Sequence, residues 1–141
     1  MNNLSDELIA DLLLTKAMEE YSIKEKRFND LNDVVDELFE NGALDREEYL
    51  TSVMKLTQLG LMESDITTEE DIEMSEATGF DIKGITSKGM EYIDTLSKDA
   101  TIGSKVKNFF NEFNGLCEKV VNNPVMRLTS EVVLPLLALL K

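Results

Sequence analysis

Apolar residues recur along most of this chain at steps of three and four, the spacing that gathers them on one side of a helix. Residues 5–21, SDELIADLLLTKAMEEY, predict a first helix. Leu8, Ile9, Leu12, Leu13 and Tyr21 mark its apolar face, and Leu14, Ala17 and Met18 widen it. A stripe that wide implies burial on more than one side. Ser5 can accept from the free N–H groups of the first turn, and Asp6 and Glu7 suit the positive end of the helix dipole. A polar connection over 22–30 carries Lys24, Lys26 and Arg27, a cluster expected to be solvated. Leu31, Val34, Val35, Leu38 and Phe39 then predict a second helix over 31–40. Asn41-Gly42 ends it, because both residues tolerate the left-handed backbone common at helix ends. Asp45, with Glu48 three residues on, resembles a capping box and opens a third helix whose inward face runs through Leu50, Val53, Met54 and Leu56 to Leu59. Two short helices joined by NGAL form a helix-turn-helix unit.

After Gly60 the period changes. LMES is a candidate short strand, and FDIKGIT places Phe80, Ile82 and Ile85 as a returning strand. Between them DITTEEDIEMSEATG is acidic and sparsely apolar, and is expected to form the polar tip of a β-wing. GITSKGMEYIDTL then leads from the wing into a helix. Thr86 or Ser87 caps it, and Met90, Ile93 and Leu96 face inward. Gly89 in the first turn costs about 1 kcal/mol relative to Ala, which is tolerable where the backbone packs closely against the wing.

SKDATIGS is expected to be a linker, followed by a helix over 105–121. Its stripe runs through Val106, Phe109, Phe110, Phe113, Leu116, Cys117, Val120 and Val121. Pro124 disfavours helical geometry at Asn123. The end, VMRLTSEVVLPLLALLK, is nearly all apolar after Ser130. Such a tail is expected to pack on the chain's own core or to form a homodimer seam, with Val133, Leu136, Leu137 and Leu140 as the candidate seam residues. The division expected is a winged-helix domain over 1–100 and C-terminal helices over 101–141.

The order of these elements, together with Ile85-Thr86-Ser87-Lys88-Gly89-Met90-Glu91-Tyr92-Ile93 and the helix opened by Lys105 and Lys107, resembles the YjcQ-like winged-helix family of bacterial and prophage proteins. In that family the wing ends in a phrase of the type LTxKGxxYL, followed by a Lys-rich amphipathic helix. The likeness covers roughly residues 5–120. It implies a mainly α (α+β) fold: a winged helix-turn-helix with a small two-stranded wing and a helical extension. It also implies a prophage or mobile-element setting, and no site.

Charge narrows the function. The chain of 141 residues has 28 acidic and 14 basic residues, a net charge of −14. Residues 1–76 hold 21 acids against 6 bases, a net of −15; residues 77–141 hold 7 against 8, a net of +1. A field of that sign repels phosphate backbones. The chain contains no histidine and one cysteine, so the commonest general base and the usual zinc ligand sets are missing. No Gly-rich phosphate loop appears, and DITTEEDIE lacks the central glycine of a calcium loop. No enzyme, cofactor, metal or small-molecule substrate is expected. No apolar run reaches bilayer length, the N-terminus is acidic where a signal peptide is basic, and Cys117 can form no internal disulfide; a cytoplasmic location is expected.

Two docking surfaces remain. A protein partner would meet the acidic wing at Glu69, Glu70, Asp71 and Glu73. DNA is the alternative, electrostatically disfavoured partner; it would be met in the major groove by the helix at 45–59 through Arg46, Thr51, Ser52, Lys55 and Gln58, placed on its outer face.

Overall fold

The computed structural model describes residues 4–122, without the side chains of 100, 101, 114 and 116–122. The candidate seam residues Val133, Leu136, Leu137 and Leu140 lie outside the described residues. The first helix, α1 (Asp6–Lys24), is the axis of the molecule. Leu12, Leu13 and Leu14 are all fully buried, which a helix achieves only when neighbours surround it. Those neighbours are α2 (Leu31–Glu40), α3 (Arg46–Gln58), the strand β2 (Ile82–Ile85) and the helix α6 (Ala100–Asn122). Ser5 caps α1 through the Leu8 N–H. The helix runs to Lys24, so the connection to α2 shortens to 25–30.

The second and third helices start on aspartates. Asp30 accepts from Asn32 N–H, and Asp45 accepts from the N–H groups of Glu47 and Glu48. Gly42, at φ 81°, turns the chain between them. Tyr49 brings a polar group into the centre, where its hydroxyl lies 2.6 Å from that of Thr15. Thr15 commits its own proton to the Asp11 carbonyl at 2.7 Å, so Tyr49 is the donor of the pair.

β1 (Met62–Ser64) pairs antiparallel with β2, Met62 opposite Ile85 and Ser64 opposite Ile82, with a bulge at Glu63/Ser64. The outer edge of β2 is satisfied by side chains. Asn32 Oδ1 accepts from Ile82 N–H at 2.8 Å while Asn32 Nδ2 donates to the Ile82 carbonyl at 3.2 Å, and Glu19 accepts from Ile85 N–H at 3.3 Å. An edge that would otherwise invite another strand is thus occupied by α1 and α2.

The segment between the strands is not a polar tip. It folds as α4 (Glu69–Thr78), started by a capping box in which Thr68 accepts from Asp71 N–H and Asp71 accepts from Thr68 N–H. The expected linker over 97–104 is also helical apart from its middle. α5 (Ser87–Lys98) stops at Asp99, whose carboxylate accepts from Ile102 N–H and restarts the chain as α6. Helix α6 therefore begins at Ala100, five residues earlier than the pattern predicts. Its Val106, Phe109 and Phe113 enter the same core as α1, with Phe113 edge-on to Tyr21 at 5.8 Å.

Gly89, expected to be tolerable only under close backbone packing, is packed closely against Leu61 and Ile85. Its N–H donates to the Thr86 cap, and a Cβ there would overlap the Leu61 carbonyl and Ile85. The result is a mainly helical fold, six helices among the described residues, with one two-stranded antiparallel sheet.

Candidate functional site

α4 lies beside α3, and the two enclose a cleft of about 580 Å³. Glu69, Ile72, Glu73 and Glu76 stand at i, i+3, i+4 and i+7, one face of α4, and all four line it. Asp45, Arg46, Glu47 and Thr51 of the α3 start form the opposite wall. Five carboxylates therefore face one another with a single guanidinium.

That guanidinium is turned inward. Arg46 Nη2 donates to Ser75 Oγ at 2.8 Å, and its Cζ lies 5.4 Å from the Phe39 ring centroid and 5.5 Å from that of Phe80. The two rings are themselves edge-to-face at 5.8 Å. A cation between aromatic faces gains roughly 0.5–2 kcal/mol per contact, more as water is removed. Partial burial pushes the nearby Asp36 carboxyl above its ordinary value, against the pull of Arg46.

The other residues expected to read bases are placed variously. Thr51 donates to the Glu47 carbonyl at 2.7 Å within its own helix. Ser52 is not on the outer face: it is buried, and it lines a second cleft with Ser5, Leu8 and Asp11 of α1. Gln58 Nε2 donates to the Thr67 carbonyl at 2.8 Å, in the approach to α4. Lys55 is exposed, as is Gln58, but the lysine side chain makes no hydrogen bond among those described.

Of the acidic candidates, Glu69, Glu70 and Glu73 are exposed. Asp71 instead serves α4, accepting from Thr67 N–H, Thr67 Oγ1 and Thr68 N–H at 2.9–3.0 Å. These bonds, the Thr67 backbone bond foremost, hold its carboxyl below the ordinary range. Glu47, Ile72 and Glu76, which complete the cleft, and Ser75, which holds Arg46, are not among the residues expected from the sequence. Thr68 and Asp71, spaced as a capping box ahead of Ile72 and Ser75, were the signal in the sequence that a helix stood here.

A separate shallow groove of about 320 Å³ is lined by Leu4, Leu59, Leu61 and Tyr92, with Lys88 donating to the Leu59 carbonyl at its rim. Among the described residues no group of three or more carboxylate or cysteine side chains is placed to hold a metal ion, and no helix is long and apolar enough to cross a membrane. Comparison with protein-family models, with curated proteins and with solved structures finds no match for this chain.

Proposed function

We propose that the chain is a non-enzymatic winged-helix module of the YjcQ-like, prophage-associated type, which acts by docking a basic protein on the acidic cleft between α3 and α4. The observation that carries the docking reading is the inward turn of Arg46. With its guanidinium held by Ser75, Phe39 and Phe80, the face left to a partner is Asp45, Glu47, Glu69, Glu73 and Glu76. Such a face steers cationic polypeptides and repels phosphate. The order of α1, a helix-turn-helix pair, an antiparallel hairpin and α5 supports the winged-helix reading, with α4 as an insertion in the wing.

A labelled Arg-rich helical peptide titrated with the chain tests the reading by anisotropy. Binding is expected at low salt, weakening as salt rises and abolished by replacing Glu69, Glu73 and Glu76 with Gln. A peptide that ignores the chain, or binds the triple variant equally, contradicts it.

A further inference from the structure

The side of α3 that a helix-turn-helix would present to nucleic acid is restrained by the segment inserted in the hairpin. Arg46 is held by Ser75 of α4, and Gln58 by the Thr67 carbonyl just before it. Phe80, which follows α4, stacks on Arg46 from another side. Glu69, Glu73 and Glu76 line the space in front of the α3 start, where a phosphate backbone would have to pass.

The same helix is lightly attached. Ser75 is its only buried residue, Ile72 is half-buried, and Met74 is 52% exposed. The hairpin does not depend on it for closure. Asp65 N–H donates to the Asp81 carbonyl at 3.1 Å, and Asp81 N–H returns a bond to the Asp65 carboxylate at 2.9 Å, below the point where α4 leaves. Asn32 and Glu19 hold β2 from the other side. Undocking α4 therefore breaks a few hydrogen bonds and a small apolar contact, and leaves the ribbon paired.

We propose that α4 is an autoinhibitory cover: docked, it withdraws Arg46 and Gln58 and screens α3 with carboxylates; released, it frees Arg46 and Gln58 to join the already exposed Lys55 in contacting a nucleic-acid duplex. The inference rests on α2 and α3 acting as a helix-turn-helix pair and is independent of any basic partner.

Two variants test it. Ile72→Ser with Ser75→Ala undocks α4 and keeps its charge; replacing residues 69–78 with a Gly/Ser segment of equal length removes the helix outright. The probe is a labelled random-sequence DNA duplex, titrated over a salt series, with amide exchange reporting whether α1–α3 stay protected. The expected result is a gain in duplex affinity of about tenfold or more for both variants, diminishing as salt rises. Arg46→Gln in the replaced chain is expected to return affinity to the wild-type level.

Duplex affinity no better than wild type in the replaced chain overturns the proposal. So does a gain that survives Arg46→Gln, which would reflect loss of acidic charge alone. Loss of α1–α3 protection on replacement would make α4 a structural element and overturn it too. A wild-type chain that ignores the Arg-rich peptide refutes only the docking reading, so the two failures are distinguishable.

Discussion

Gly89 is fixed by what lies across from it. Its backbone is pressed against Leu61 and Ile85, so Gly89→Ala gains helix propensity but forces a methyl group into the Leu61 carbonyl. The overpacking dominates: urea unfolding of the variant is expected to give a loss of about 2 kcal/mol, net of the roughly 1 kcal/mol that Ala otherwise adds. The Thr15–Tyr49 pair predicts an asymmetry. Tyr49→Phe deletes the donor and leaves Thr15 bonded to the Asp11 carbonyl, at a cost of about 1 kcal/mol. Thr15→Val strands a phenol that is 1% exposed, and is expected to cost more in the same assay, roughly 1–3 kcal/mol. Glu19 predicts a pH effect. Burial raises its carboxyl above the ordinary value, opposed by the Ile85 N–H and then by Lys16. The native state thus binds this proton more tightly than the unfolded chain, so stability falls as pH rises from the ordinary carboxylate range through the raised value. Glu19→Gln keeps an acceptor for Ile85 and removes the ionisation. Denaturation across pH should show the variant gaining on the wild type between acid and neutral pH; a constant difference contradicts this.

At the scale of elements, apolar periodicity located what packs broadly and missed what packs thinly. Helix α2 matches its predicted bounds at both ends because Leu31, Val34, Val35 and Leu38 are all buried. Helix α4 offers only Ser75 and half of Ile72 to the interior, so no apolar stripe announced it. Its stability lies in its start. Thr68→Ala removes one half of the capping box and is expected to destabilise α4 by about 1 kcal/mol, read as faster amide exchange over 69–78 with α1 unchanged. The hydrogen bonds that depress Asp71 act in the opposite sense to Glu19: their contribution is present above the ordinary carboxylate pKa and is lost as pH falls through the lowered one. The break at Asp99 was hidden for another reason. Gly103 resembles a linker residue, yet it lies inside α6 because only a glycine lets that helix approach the Ser97 carbonyl. The sealing of β2 by Asn32 and Glu19 joins residues 50 and 66 positions apart, a separation that local patterning does not span.

For the whole molecule, the sign of the charge was legible from composition, and its arrangement was not. Counting acids places the negative field in residues 1–76. Only the packing of α4 on α3 brings Glu69, Glu73 and Glu76 opposite Asp45 and Glu47, and turns the one arginine between them toward Phe39 and Phe80. The linear order alone points Arg46 to DNA, because it stands where the second helix of a helix-turn-helix would start. Its neighbours in space turn it inward, and one of them, Ser75, comes from a helix that apolar periodicity does not reveal. The most direct test is a residue-resolved NMR titration of the nitrogen-labelled chain, first with the Arg-rich peptide and then with a DNA duplex. Peptide-induced shifts centred on 45–47, 51 and 69–76, with no response to the duplex, are the predicted result. Shifts at Arg46, Lys55 and Gln58 on adding the duplex to the wild-type chain, with the peptide silent, would contradict the account.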